Sequence, residues 1–85
     1  MRVDLHGLPL SEAKIKSQVS VAEAWSSSDI SVEFIHGYHL GNVIKDYIQE
    51  ISGLRKDIET IYPEVSELKL KDKGLGATLV SFRRR

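Results

Sequence analysis

An aspartate and a histidine stand two residues apart in Val3-Asp4-Leu5-His6-Gly7. In an extended chain residues two apart share a face, so Asp4 and His6 point one way while Val3 and Leu5 go to a core. A carboxylate beside an imidazole fixes the ring's tautomer and raises its affinity for a proton, which suits it to acid–base chemistry near neutral pH. The same spacing also fits a plainer arrangement, with Asp4 capping a turn and His6 a polar residue at a strand end.

A second group is Ile35-His36-Gly37-Tyr38-His39-Leu40-Gly41, followed by a helical pattern. Glycines at a strand-to-helix turn let backbone N–H groups approach an anion, and the helix start adds partial positive charge, so Gly37 and Gly41 fit a phosphate. Tyr38 is placed to stack on an unpaired base. His39 and Lys45 can supply positive charge near the loop. A plain tight turn would carry the same two glycines. Third, Lys69, Lys71 and Lys73 fall at spacing two, and Arg83-Arg84-Arg85 close the sequence. Basic residues on one strand face can line a phosphate track. An edge strand guarded against aggregation would carry the same lysines, and a frayed tail the same arginines.

These residues need elements to hold them. Residues 2–5 alternate and end at Gly7 and Pro9, a short strand. Helix formers accompany a stripe of Ile15, Val19 and Ala22, flanked by Val21 and Trp25, so the pattern predicts a half-buried helix over 10–25. Ile30 to His36 is a β-branched and aromatic strand closed by Gly37. Ile44, Tyr47, Ile51, Leu54, Ile58 and Ile61 then predict one amphipathic helix from Asn42 to Tyr62, which Gly53 can interrupt and Pro63 closes. Val65 to Lys71 and Ala77 to Phe82 read as strands joined by a hairpin turn over 72–76. Trp25, Tyr47 and Tyr62 follow the helical pattern as packing residues. The order β-α-β-α-β-β predicts an α+β sandwich with a mixed four-stranded sheet. With the first two strands as parallel neighbours, His6 and His36 emerge together at their carboxyl ends, where such sheets place ligands.

Composition sets the limits. The 85 residues suffice for one domain, 1–85, and 41% hydrophobic with 28% charged residues excludes disordered and fibrous classes. Twelve basic and twelve acidic side chains cancel, so any nucleic-acid site must be a local patch. Without cysteine there is neither disulfide nor thiolate metal site, which fits the cytoplasm. No apolar run nears the ~20 residues needed to span a bilayer, and no signal peptide opens the chain, so no membrane association is expected. Walker loops, zinc-ligand spacings and nucleophile elbows are absent from the sequence.

Val3-Asp4-Leu5-His6-Gly7, Phe34-Ile35-His36-Gly37 and Gly76-Ala77-Thr78-Leu79-Val80, in this order and frame, resemble the Smr (small MutS-related) domain over nearly the whole chain. The resemblance implies a fold similar to the C-terminal domain of the third bacterial translation initiation factor, with the first two blocks meeting at one sheet edge. It implies DNA or RNA as partner, in some members with DNA-nicking or RNA endonuclease activity, and association with a larger MutS-like, repair or RNA-processing protein. It implies that Asp4, His6, His36 and Gly37 carry the site and that Gly41 shapes the loop. The second block departs from the family: His-Gly is usually followed by a basic, glycine-rich run, whereas here Tyr38-His39-Leu40-Gly41 follow, and Ile44 falls where an arginine is frequent.

Three functions fit. In an endonuclease, His6 or His36 is the acid or base and Asp4 orients an imidazole, with no cofactor required and Mg2+ the metal to test. In a binding module the same loop and lysines hold phosphates without cleavage. In a protein-interaction domain the fold remains and the long helix packs a partner. Nucleic-acid binding leads, with cleavage left open.

Overall fold

The computed structural model describes residues 1–37 and 42–83. The elements are β1 (Arg2–Asp4), α1 (Leu10–Ser26), β2 (Ser31–Ile35), α2 (Val43–Gln49), an irregular turn (Ile51–Arg55), α3 (Lys56–Ile61), β3 (Leu68–Gly74) and β4 (Ala77–Phe82). The sheet order is β1-β2-β4-β3, with β1 parallel to β2 and the other pairs antiparallel. The connections from β1 to β2 and from β2 to β3 join parallel strands and run in the same direction across the sheet, and crossovers of one hand then put the helices on one face.

Alternation along the strands confirms that single covered face. Val3, Leu5, Val32, Phe34, Leu68, Thr78, Val80 and Phe82 are buried with the helices' Ala13, Val21, Ala24, Tyr47, Ile48, Leu54 and Ile58. Arg2, Asp4, Glu33, Ile35, Leu79, Ser81, Lys69 and Lys71 take the opposite parity and occupy the uncovered face. Trp25 sits half-buried at the core margin with its ring edge on Phe82, centroids 5.3 Å apart. Among the described residues no helix is long and apolar enough to cross a membrane.

The inward stripe of α1 is not the one expected from its apolar residues. Ile15 and Val19 are exposed at 65% and 42%, while Ala13, Ser17, Ser20, Val21 and Ala24 are buried. A helix that lies close on a sheet and on its neighbours needs small side chains at the contact. Two of these are serines, whose hydroxyls donate to carbonyls of the same helix: Ser17 Oγ to Lys14 O at 2.9 Å and Ser20 Oγ to Lys16 O at 2.7 Å. A serine satisfied in this way can be buried at little cost.

The expected long helix from Asn42 to Tyr62 is likewise broken. Glu50 is extended (φ −76°, ψ 145°) and Gly53 leaves helical geometry (φ −95°, ψ −119°), so α2 stops at Gln49 and α3 begins at Lys56. Ile48 is fully buried, while Ile51 and Ile61, assigned to the inward stripe by their spacing, are 75% and 53% exposed. Beyond the break the chain folds back closely on α2: a Cβ on Gly53 would lie 2.0 Å from the Tyr47 carbonyl oxygen. Tyr47 Oη donates to Asp57 Oδ2 (2.7 Å) and accepts from Gln18 Nε2 (2.8 Å), tying α2, α3 and α1 together. β3 also lies three residues later than the pattern suggested, and the turn to β4 is only Leu75-Gly76.

Candidate functional site

β1 ends at Asp4, and the chain turns at Gly7, so Asp4 and His6 stand at the carboxyl end of a parallel edge strand. The Asp4 carboxylate accepts twice from His6, from the backbone N–H at 3.0 Å and from Nδ1–H at 2.6 Å. The acceptor is a carboxylate, so Nδ1 carries the proton and the Nε2 lone pair is left over. No partner for Nε2 occurs among the described residues, and the side chains are 66% (His6) and 58% (Asp4) exposed, so a substrate can reach the ring. The hydrogen bond from the His6 side chain, then that from its backbone, hold the Asp4 carboxyl below its usual range, with Lys16 adding to the effect.

Gly37 sits against this pair. Its backbone has φ +76°, and a Cβ there would come to 3.4 Å from the Cβ of His6. Only glycine takes this conformation readily, and the small residue brings the two blocks into contact. The N–H groups of His36 and Gly37 both donate to the Gly76 carbonyl, at 2.8 and 3.0 Å, so the β3–β4 turn holds the end of β2.

His36 is placed differently. It follows Phe34 in parity, toward the helices, and is only 7% exposed. The Gly37 carbonyl, 3.0 Å from Nδ1, can only accept, so Nδ1 bears the proton and Nε2 accepts from the Thr78 hydroxyl at 2.8 Å. Thr78 Oγ1 in turn accepts from Gln49 Nε2 at 2.8 Å. Both ring nitrogens are thereby engaged inside the protein. Thr78→Val keeps the shape and deletes the hydroxyl that joins His36 to Gln49, so it should lower stability by about 1–3 kcal/mol. Urea unfolding of Thr78→Val beside Thr78→Ser, which keeps the hydroxyl, measures this; equal loss in both would remove the hydrogen bonds as its cause.

Lys45 Nζ lies 3.7 Å from Asp72 Oδ2; the loop that it was expected to serve lies outside the described residues. Asp72 is held below its usual range by the Gly74 N–H, then Gln49 and Lys45. Lys69 and Lys71 lie opposite Ser81 and Leu79 on the uncovered sheet face, and Lys73 follows at the bulge before the β3–β4 turn; all three are exposed. Tyr38, His39, Leu40, Gly41, Arg84 and Arg85 lie outside the described residues. Asp4, His6 and Gly37 therefore come together at one edge, the lysines of β3 lie across the sheet from them, and the His36 ring faces the interior.

Sequence reasoning missed Thr78, Gln49, Asp72 and Lys16. Thr78 offered a signal, as a hydroxyl at an inward position of an apolar strand. Gln49 and Lys16 had none, since their partners are distant in sequence, while Asp72 accepts from Gly74 N–H only two residues on. The stretch 52–64 forms the break at Gly53, α3 and one wall of an open groove of about 1030 Å³, closed on its other side by Pro63 to Leu68. The chemistry points to the strand edge and not to this groove, which holds none of the paired groups above. Among the described residues no three His, Asp or Glu side chains are grouped to hold a metal ion.

The family model for the Smr domain matches residues 3–83. Among solved structures, the crystal structure of the Smr domain of Thermus thermophilus MutS2 superposes with a TM-score of 0.59 at 24% identity, covering 98% of each chain. No curated protein matches the chain.

Proposed function

Since the chain belongs to the Smr domain family, we propose that it binds DNA or RNA at the carboxyl edge of β1 and β2 and hydrolyses a phosphodiester there. The observation that carries this reading is the Asp4–His6 pair, at 2.6 Å, with its second imidazole nitrogen open to solvent beside Gly37. The MutS2 domain of like fold comes from a protein whose name links it to MutS, which agrees with nucleic acid as the ligand.

In the proposed reaction Nε2 of His6 takes a proton from water, and the water oxygen bonds to phosphorus. The bond from phosphorus to one bridging sugar oxygen breaks, and the proton returns through solvent to that oxygen. Asp4 holds the tautomer and stabilises the imidazolium that forms. The lysines of β3, across the sheet, hold phosphates farther along the same strand of nucleic acid. His36 takes the part of a positioning residue, locking the strand end from which Gly37 departs, and Lys45 acts through Asp72. A resident cofactor is not part of this scheme, and the metal arm of the assay tests it.

The test is a nicking assay on supercoiled plasmid and on a structured RNA, with EDTA or Mg2+, comparing the chain with the double variant Asp4→Ala, His6→Ala. Cutting by the first and none by the folded variant is expected. Equal cutting by both overturns the assignment of the pair, and the EDTA lanes decide metal dependence. Salt-sensitive binding without cutting by either would leave a binding module, the reading that the altered loop after Gly37 favours.

A further inference from the structure

We propose that Lys16, on the second turn of α1, binds the phosphate attacked at the Asp4–His6 edge and supplies the positive charge that the developing phosphorane needs. This rests on the reading above.

The geometry comes from β1 being a free edge. Leu5 turns its N–H toward β2, donating to Ile35 O at 2.7 Å, so the peptide groups of Asp4 face the other way. Lys16 crosses from α1 to this side, and its Nζ donates to the Asp4 carbonyl at 3.2 Å. One residue therefore carries the imidazole on its carboxylate and the ammonium on its carbonyl. An ammonium has three N–H donors, and the Asp4 carbonyl uses one. Two remain at an exposed position.

Three other cations are engaged elsewhere. Lys14 lies over the Tyr47 ring, 5.4 Å from its centroid. Lys45 approaches Asp72 at 3.7 Å, and Arg83 pairs with Glu67 at 3.4 Å. Among the described residues Lys16 has no carboxylate at ion-pair distance. The nearest carboxylate by sequence, Glu12 one helical turn earlier, makes no ion pair with it, and the Oδ1 of Asp4 is taken up by both N–H groups of His6. The two His6 hydrogen bonds hold the Asp4 pKa down, and the positive charge of Lys16 adds a smaller effect on that carboxylate. Attack on a phosphodiester gathers negative charge on the phosphoryl oxygens, and a preorganised cation there acts where it counts most.

Lys16→Ala, Lys16→Arg and, as a reference, Lys56→Ala at the exposed start of α3 separate this role from a structural one. Each is checked for folding by thermal unfolding, then for binding to a short DNA duplex across a salt series, and for single-turnover cleavage of the nicking substrate. Lys16→Ala should lower the slope of log K against log salt by about 0.9, the share of one phosphate. It should slow cleavage about 10²-fold. Lys16→Arg should restore the slope, while Lys56→Ala leaves it unchanged. A weakened Lys16→Ala with an undiminished salt slope would mean that the lysine only pins the β1 edge, and the proposal would fail. An unsubstituted chain that shows neither salt-dependent binding nor cutting would take the functional reading down, and Lys16 with it. Normal binding and cutting by Lys16→Ala would overturn the lysine alone.

Discussion

A folded His6→Gln chain is expected to nick nucleic acid about 10²- to 10⁴-fold more slowly than the unsubstituted protein, with little change in affinity. The glutamine keeps polarity and approximate reach but has no lone pair that can take and return a proton at neutral pH. The ring is exposed and contributes no core packing, so stability should hardly move. Asp4→Asn should cost less than His6→Gln. Its amide oxygen can still accept from the His6 N–H groups at 3.0 and 2.6 Å, but the negative charge that steadies an imidazolium is gone. The effect should fall on kcat and not on KM, because both groups act on the proton and not on the phosphate. Quantitative single-turnover cleavage decides; a His6→Gln chain that cuts at the original rate assigns the base elsewhere.

Gly53→Ala should lower the thermal midpoint by about 10–20 °C, corresponding to a loss of about 2–3 kcal/mol. In an ordinary helix the same exchange stabilises by roughly 1 kcal/mol, because alanine restricts the unfolded chain and favours the helix. Here the added methyl meets the Tyr47 carbonyl oxygen at 2.0 Å and its carbon at 2.9 Å, both backbone atoms that cannot rotate aside. Relief requires moving α2 away from α3. That shift would pull at the hydrogen bonds of Tyr47 with Asp57 and Gln18. Ile51→Ser provides the contrast, since an unbroken amphipathic helix would make it costly, whereas its 75% exposure predicts a change within about 0.5 kcal/mol. Calorimetry of the two variants distinguishes a broken helix from a continuous one: near-equal midpoints would overturn the account of Gly53.

Some of the site was legible because it obeys local rules. The parity of a strand places Asp4 and His6 on one side and Val3 and Leu5 on the other, whatever the strand packs against. The resemblance of the three blocks to the Smr domain supplied the frame, and the mixed four-stranded sheet with parallel β1 and β2 followed from element order. Errors arose where burial depends on what lies opposite. Ile15 and Val19 looked inward because they are apolar, but the sheet accepts only the small Ala13, Ser17, Ser20 and Ala24, with Val21, at that distance. Hydrophobicity reports the tendency to leave water and does not report the space available.

By itself, the sequence determined the order of elements, the face shared by Asp4 and His6, and the turns at Gly7 and Gly37, since each depends on residues a few positions apart. Tertiary structure alone decided that the His36 ring faces Thr78, 42 positions away, and that Lys16 meets the Asp4 carbonyl 12 positions back. It also decided that α2 ends before Glu50 and that Gly53 lies against the Tyr47 backbone. The reason is one of range: torsions and parity are set by neighbours in the chain, whereas a hydrogen-bond partner or a steric limit is set by whichever element the fold brings opposite.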